Sequence, residues 1–536
     1  VSDLDSCPVT RIPVMASLGC HVKGFTVPHP DLQHPETLLA GFFKRVAVAP
    51  PDSEEEVLRR FYLHVWEYLP KHFKPLPFDA DISYDTWINE SDYPLWRKTE
   101  LTTTWDAASR QLKPEHFVVQ GFAKDECHPT YKHVRTINSR HDCFKCYSGP
   151  IFKAIEKVVF AKKSFIKHMS VDKRPAYIVE RLNKISGRTI ATDHVSFESC
   201  FVRRLQECAE MQLYDYMTKN LPCHDEFMRA VRRAQLEEND IRYSSFNAVV
   251  PPVRLSGEMD TSLGNGFTNL VSFDFACTEA GSFGWKGVVE GDDGLFSVSG
   301  PLPTSETFRS IGMNIKLEVC DSISEASFCG LIFNEDEQIL IRDPRRVLVD
   351  FGWTSGRYVG ARSRKRLALL KSKSLSALYQ FAGCPIVQEL ALYGLRMSEE
   401  IGIYDILKII NSKGLTQYQR ETLIHALEKY DAGEYTEKPT GMKTRLLVEK
   451  LYGITVEMQL QYEKYLKAQT TLHPLDPLAL DEILPWQWHD YSTRYVVYLR
   501  SGMSTNCPFL DKPIDILVDW PECGYVRRRY KKRTKT

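Results

Sequence analysis

Asp292 and Asp293 sit side by side in Val288-Val289-Glu290-Gly291-Asp292-Asp293-Gly294-Leu295-Phe296-Ser297-Val298, where two β-like runs flank a Gly-Asp-Asp-Gly turn. That pattern is a hairpin signal, and a hairpin can hold adjacent carboxylates rigidly at its tip. A lone Gly-Asp-Asp arises by chance in roughly one chain in ten of this length, so a plain surface turn is the bland alternative. Arg188-Thr189-Ile190-Ala191-Thr192-Asp193 is a β-rich run that ends in a third carboxylate, for which helix capping is the ordinary explanation. An Asp at a strand end points its oxygens beyond the sheet edge. If this strand lies beside the hairpin, three carboxylates converge, and such a cluster repels itself unless divalent cations neutralise it. Two Mg²⁺ or Mn²⁺ ions about 3.5–4 Å apart would activate an attacking hydroxyl and stabilise a leaving pyrophosphate.

Elements able to position these groups surround them. After Asp193, Ser196 is placed to cap a helix in which Phe197, Phe201, Leu205 and Cys208 recur at helical spacing. In Leu255-Ser256-Gly257-Glu258-Met259-Asp260-Thr261-Ser262-Leu263-Gly264-Asn265, the Ser-Gly pair permits an unusual backbone before a helix that begins near Thr261. Thr261 and Asn265 are one turn apart on one face, where hydroxyl and amide can hydrogen-bond a ribose. Upstream, Lys124, Lys132, Arg135 and Arg140 punctuate strand-like sequence from Phe122 to Arg140. They could cradle a triphosphate and shield its charge from the carboxylates, or form a solvated basic face.

Bulk composition narrows the classes. At 536 residues, 43% hydrophobic and 26% charged, the chain can bury a sizeable core, as one multi-lobed enzyme or a few domains. Lys+Arg and Asp+Glu are both 69, so any attraction for polyanions must come from local patches rather than from an overall basic coat. Fourteen scattered cysteines fit a reduced protein better than a disulfide scaffold. No apolar run approaches the roughly 20 residues that span a bilayer. The first residue is Val with no signal-peptide pattern after it, which fits a fragment or processed product. A helix is expected from Ser53 to about Leu69, strands and helices alternate over 115–345, and helix-compatible patterns cover 361–382, 386–397, 400–410, 415–430 and 441–466. The final ten residues hold seven basic side chains and read as a flexible tail.

Taken in order, the basic strands, strand-Asp-helix, Ser-Gly-x₃-Thr-x₃-Asn and Gly-Asp-Asp resemble the motifs of viral RNA-dependent RNA polymerases, nearest the positive-strand tombusvirus-, nodavirus- and flavivirus-like assemblage. The resemblance covers about 93–330. It implies an α+β right-hand fold with an antiparallel palm sheet and a mostly helical thumb. The implied layout is an N-terminal extension and start of the fingers over 1–110, fingers over 111–187, palm over 188–345 with a fingers insert at about 215–250, and thumb plus basic tail over 346–536. Asp193 then opens motif A and Asp292-Asp293 form motif C, Asp193 and Asp292 being main metal ligands and Asp293 a supporting one. Ser256, Gly257, Thr261 and Asn265 match motif B, which holds template and reads the ribose 2′-hydroxyl. Lys124, Glu126, Lys132, Arg135 and Arg140 fall in motif F. Lys316, in a stretch like motif D, is the candidate proton donor to pyrophosphate. Phe328-Cys329-Gly330 resembles the motif E primer grip, and Tyr93-Pro94-Leu95-Trp96-Arg97-Lys98 is similar to motif G, where template enters.

One departure concerns Glu198. It stands where motif A usually carries a second Asp that discriminates ribose with the motif B Asn. Glu keeps the charge but reaches one methylene further, which predicts altered sugar selection rather than lost activity. The implied partners are an RNA template, nascent RNA and nucleoside triphosphates, together with other viral replication proteins and, through them, a host membrane in the cytoplasm. A reverse transcriptase and a catalytically weak or inactive RNA-binding replication scaffold are the alternatives. The former normally has an aromatic residue before the paired Asp, where Glu290-Gly291 stand here. Cys143-x₂-Cys146 beside His141 could hold structural zinc, but no second such pair accompanies it, so reduced cysteines are expected. Basic clusters at 153–173 and 357–373 could line an RNA channel or form solvated helix faces. No Gly-x₄-Gly-Lys-[Ser/Thr] loop, His-Glu-x₂-His site or Gly-x-Ser-x-Gly elbow is present.

Overall fold

The computed structural model describes residues 16–23, 25, 35–124, 126, 134–167, 169–434 and 437–484, with the backbone of Val526–Arg528. The fold is mixed α+β. Its centre is a four-stranded antiparallel sheet with spatial order Gly284–Glu290, Asp293–Ser299, Arg188–His194, Ile315–Cys320. The first two strands form the expected hairpin. Glu290 pairs with Asp293, leaving Gly291-Asp292 as a two-residue turn. Gly291 has φ +62°. Glycine at the first central position with positive φ is what a type II′ turn requires, and that turn matches the twist of the strands it joins.

Alternation along the strands gives the sheet two apolar faces. Ile190, Val289, Phe296 and Val298 face a core shared with the helices Glu55–His72, Asp142–Val159 and Thr261–Ala280. Within it the rings of Phe273 and Phe296 stack with centroids 3.6 Å apart. Ala191, Val288 and Leu295 face the opposite core, shared with the C-terminal helices Ser363–Phe381 and Val387–Met397. Because both faces are buried, slipping any strand by one residue would send each side chain into the core shaped for its neighbour, so packing on both sides fixes the register.

A second, five-stranded sheet runs in the order Val526–Arg528, Phe246–Val250, Asn239–Arg242, Val119–Ala123, Thr136–Arg140. Phe42, from the helix Pro35–Arg45, packs edge-on against Tyr243 and Phe246 over this sheet. Residues 16–22 lie at the other end of the molecule, where Ala16–Ser17 pair with Trp353–Thr354 and Val22 bridges Leu475.

The helical last third follows the expected pattern with one break. Helices Met442–Tyr452 and Val456–Ala468 replace a single long one, because Gly453 adopts φ +71° and Thr455 caps the next helix through Met458 N. The first expected helix runs Glu55–His72, with Pro70 in its last turn. After Asp193 the structure differs from expectation. Ser196 takes a left-handed conformation without a side-chain cap bond, and Phe197–Cys200 and Arg203–Cys208 form two short helices. The interruption lies at Val202, which bridges Val253 in extended conformation. The basic tail after Arg528 lies outside the described residues. Among those residues, no helix is long and apolar enough to cross a membrane.

Phe296→Ala should remove the stacked ring without a substitute and cost about 3–5 kcal/mol of stability. A shift in the denaturant midpoint of less than a third of that would show that the sheet does not depend on this core.

Candidate active site

Backbone register brings the three acids together. Thr192 pairs with Gly294, so one residue further along Asp193 lies beside Asp293. Directly opposed residues of antiparallel strands have Cα atoms roughly 4.5–5.5 Å apart. Asp292 projects from the adjoining turn and reaches solvent. Crowding by protein and nearby negative charge raise the pKa values of Asp292 and Asp293. Asp292 is raised by partial burial and by Glu198 and Asp193, against the pull of its own backbone N–H and Arg135. Asp293 is pushed to about 7, by burial first and then by Asp292 and Asp193. A set of oxygens that resists being ionised together is a donor set suited to hard divalent cations, so Asp193, Asp292 and Asp293 fit the expected ions.

Behind the acids is a residue that sequence reading missed. Asn269 is fully buried on the helix Thr261–Ala280, and its amide nitrogen donates to Gly291 O at 3.2 Å and Asp293 O at 3.1 Å. Its Oδ1 therefore faces His194 Nε2, at 3.3 Å, which assigns that imidazole hydrogen to Nε2. Burial lowers the pKa of His194 to about 4, so the ring is neutral. One side chain thus ties the turn that carries Asp292 to the strand end carrying Asp193. Its only signal in the sequence is its place one turn after Asn265.

Cys329, too, touches the acids. Cys329 and Gly330 both have positive φ in a tight turn whose flanks, Phe328 and Leu331, exchange hydrogen bonds of 2.9 and 3.0 Å. The thiol donates to Glu290 Oε2 at 3.8 Å, and burial followed by Asp293 and Glu290 raises its own pKa well above normal. Glu290 is in turn paired with Arg174 at 2.6 Å.

Arg135, at the start of the strand Thr136–Arg140, lies within electrostatic reach of the acids. Lys124 N donates to Arg135 O on the last rung between strands Val119–Ala123 and Thr136–Arg140. Glu126 pairs with both Arg135, in a bidentate contact, and Lys124, at 3.1 Å. The charge of Arg135 acts on Glu198 and Asp292. Lys132 lies outside the described residues. Arg140 requires a correction. Rather than cradling a triphosphate, its side chain is 3% exposed and binds Glu258 at 2.8 Å, Phe117 O, Ala234 O and Asn239. It serves the loop instead of a ligand.

That loop carries Ser256 and Gly257. Asn138 N donates to Ser256 O at 2.6 Å, and Gly257 has φ +113° with its missing Cβ position 2.9 Å from Ile137. Any side chain there would be strained and crowded, which explains the glycine. The helix starts at Thr261 as expected. The Thr261 hydroxyl donates to Glu258 O, whereas Asn265 is buried with an Oδ1 that has no partner. Glu198 begins the short helix after Asp193, with its field on Asp292 and Arg135. Lys316 is the cross-strand partner of Asp193, 69% exposed, with Nζ 3.9 Å from Glu318.

Elsewhere His116, His141 and Cys143 form a cluster of metal-ligating atoms. Both imidazoles accept backbone N–H bonds at Nδ1, from Lys113 and Cys143. Their neutral rings therefore carry hydrogen on Nε2 and offer no lone pair to an ion. Cys143 and Cys146 are free and buried, as expected of reduced thiols. In the 357–373 cluster, Arg364 binds Asp405, Lys371 binds Ile401 O and Lys373 binds Asp350, so these cations are structural.

Asn269→Ala should raise the Mn²⁺ concentration for half-maximal binding by about tenfold, the usual effect of removing a residue that orients ligands. Unchanged binding would mean that the turn holds itself. The Asp293 shift gives a second expectation. A carboxyl whose folded pKa is raised loses stability as pH climbs from its unfolded value, about 4, to its folded one, and a cation that replaces the proton restores it. Thermal stabilisation by Mg²⁺ over EDTA should be larger near pH 8 than near pH 6; equal shifts would separate cation binding from these acids. No protein-family model matches the chain, and no curated protein matches it, so the case for an activity rests on these residues.

Proposed function

We propose that the chain is an RNA-directed RNA polymerase of the positive-strand viral kind, replicating a genome with the four-stranded sheet as palm, the five-stranded sheet and its helices as fingers, and the C-terminal helices as thumb. The observation that carries this reading is the convergence of Asp193, Asp292 and Asp293 at adjoining strand ends, within electrostatic reach of Arg135 and beside a buried amide oxygen without a partner. Lys413 Nζ lies 4.4 Å from the centre of the Trp96 ring, a contact between the segments read here as thumb and fingers.

In this reading Asp193 and Asp292, supported by Asp293, hold two Mg²⁺ or Mn²⁺ ions, which supply activation of the attacking hydroxyl and neutralisation of the departing pyrophosphate. The protein does the rest by positioning. Arg135 and Lys124 bind the triphosphate, exchanging their bonds to Glu126 for bonds to phosphate oxygens. Asn265 Oδ1 accepts a hydrogen bond from the ribose hydroxyl. Glu198, facing Asp292 and Arg135, borders the sugar. Lys316 is exposed next to Asp193 and reaches the leaving group by rotating its flexible side chain. The 3′-hydroxyl of the growing RNA attacks the α-phosphate, and pyrophosphate leaves. Work on a host membrane would require recruitment by other replication proteins.

On a single-stranded RNA template with Mg²⁺ or Mn²⁺, the protein should incorporate ribonucleotides, and Asp292→Ala should lower the rate by about a thousandfold, or ~4 kcal/mol of barrier. RNA binding without incorporation under either ion would replace this reading with a replication scaffold. Deoxyribonucleotide incorporation on RNA would point to a reverse transcriptase. Glu198→Asp should increase the preference for ribose; an unchanged ratio would remove Glu198 from sugar selection.

A further inference from the structure

At the end of the catalytic hairpin far from its turn lies a cavity of about 710 Å³, bounded by the first residues of the strand Gly284–Glu290, the last turns of the helices Thr261–Ala280 and Glu55–His72, and the loop 161–164. Lys162, Lys163, Arg181 and Lys286 line it. These four cations come from three separate parts of the fold. Bringing them together costs electrostatic energy that no ion pair among the described residues relieves. Asp274 is the one carboxylate in the lining, and both of its oxygens are engaged, Oδ1 by Trp285 Nε1 at 2.7 Å and Oδ2 by His64 Nε2 at 2.9 Å. Glu180 feels the charge of Lys163 but is paired with Lys184 at 2.8 Å.

The contrast with the other basic cluster is instructive. Arg364 and Lys373 are paired with Asp405 and Asp350, and Lys371 is buried against Ile401 O, whereas Lys286 donates only to the adjacent Trp285 O at 3.3 Å and Lys162 lies 5.3 Å from the centre of the Phe73 ring. Here, among the described residues, none of the four cations has a carboxylate within ion-pair distance. Arg181 is nevertheless held in place, with Nη2 donating to Ser164 Oγ at 3.1 Å and Nε to Gly287 O at 3.4 Å, which leaves Nη1 for a ligand. Tyr68 and His72, stacked at 3.9 Å, add flat walls to the lining. The volume falls within the roughly 300–1,000 Å³ of small-molecule sites.

We infer that this cavity is a second binding site for a nucleoside triphosphate, its phosphates held by Lys162, Lys163, Arg181 and Lys286 and its base placed against the aromatic wall. Four cations match the charge of a triphosphate, and the guanidinium and ammonium groups are its natural donors. Lys286 is roughly 20 Å from Asp292 by the rise of a strand, so this site is distinct from the one that holds the reacting nucleotide. It adjoins the clamp, because Leu270 lines the cavity and follows Asn269 on the helix.

The test is equilibrium binding of a fluorescent guanosine triphosphate analogue to the whole protein in EDTA, where the carboxylate cluster has no cation with which to bind phosphates. The assay requires no incorporation, so its outcome is separable from the polymerase reading. Saturable binding of one equivalent is expected, unaffected by Asp292→Ala and weakened about tenfold or more by Lys163→Glu and by Lys286→Ala. Lys163 is exposed, and an unchanged melting temperature would verify that its variant is folded. Competition by unlabelled triphosphate supports the inference. No saturable binding in EDTA, or equal affinity in both lysine variants, overturns it. Displacement by a short RNA at lower concentration than by the triphosphate overturns the assignment in favour of an RNA groove.

Discussion

Three carboxylates can share one end of a sheet only in a framework that their repulsion cannot spread. Here that framework is a backbone register locked by burial on two faces. Ile190 and Phe296 are committed to one core and Ala191 and Leu295 to the other, so the strand ends cannot slide apart without exposing both sets. The type II′ turn leaves no slack at Asp292, and Asn269 bridges the turn to the neighbouring strand through His194. Burial, joined by repulsion that cannot relax as movement, raises the pKa values of Asp292 and Asp293.

Around this centre the protein accepts buried charge to fix a loop. Arg140 meets Glu258, and Arg254 meets Glu210 and Asp260, all with side chains at most 4% exposed. Asp260 also accepts from Tyr214 and Gln235, at 2.6 Å each. Pairs this deep contribute little net stability relative to apolar packing, but breaking one strands its partner, so they favour a single conformation. That conformation holds Ser256 and Gly257 against the strand Thr136–Arg140.

The parts legible in the sequence were those written in local pattern. The hairpin, the strand ending at Asp193 and the helix from Thr261 follow from alternation, a Gly-Asp turn and a break before an apolar run. Pairing between the strands had to be supposed, because register depends on which faces are buried, and that is set by helices distant in sequence. Arg140 was misjudged for the same reason. A cation in a strand reads as solvated or ligand-binding until Glu258, from another segment, is seen to neutralise it. Asn269 could not be distinguished from any other polar residue on a helix, since its two acceptors are backbone carbonyls and leave no trace in composition. Helix interruptions at Val202 and Gly453 were likewise hidden, the first by a tertiary bridge and the second by a left-handed cap.

The threading of the N-terminal segment bears on how the chain reaches this state. Lys23 contacts Asp476, 453 residues away in sequence, and Ala16 completes a strand pair with Thr354. Such contacts carry a high loop-closure cost and form late. At ~5–20 residues per second, residues 16–23 would leave a ribosome roughly 20–90 s before the partners near Asp476. During that wait Leu18, Cys20 and Val22, each 2% exposed or less in the finished fold, have nowhere to be buried. Synthesis therefore leaves an apolar segment open to chaperones, or to misassembly, until the segment around Leu475 has been made.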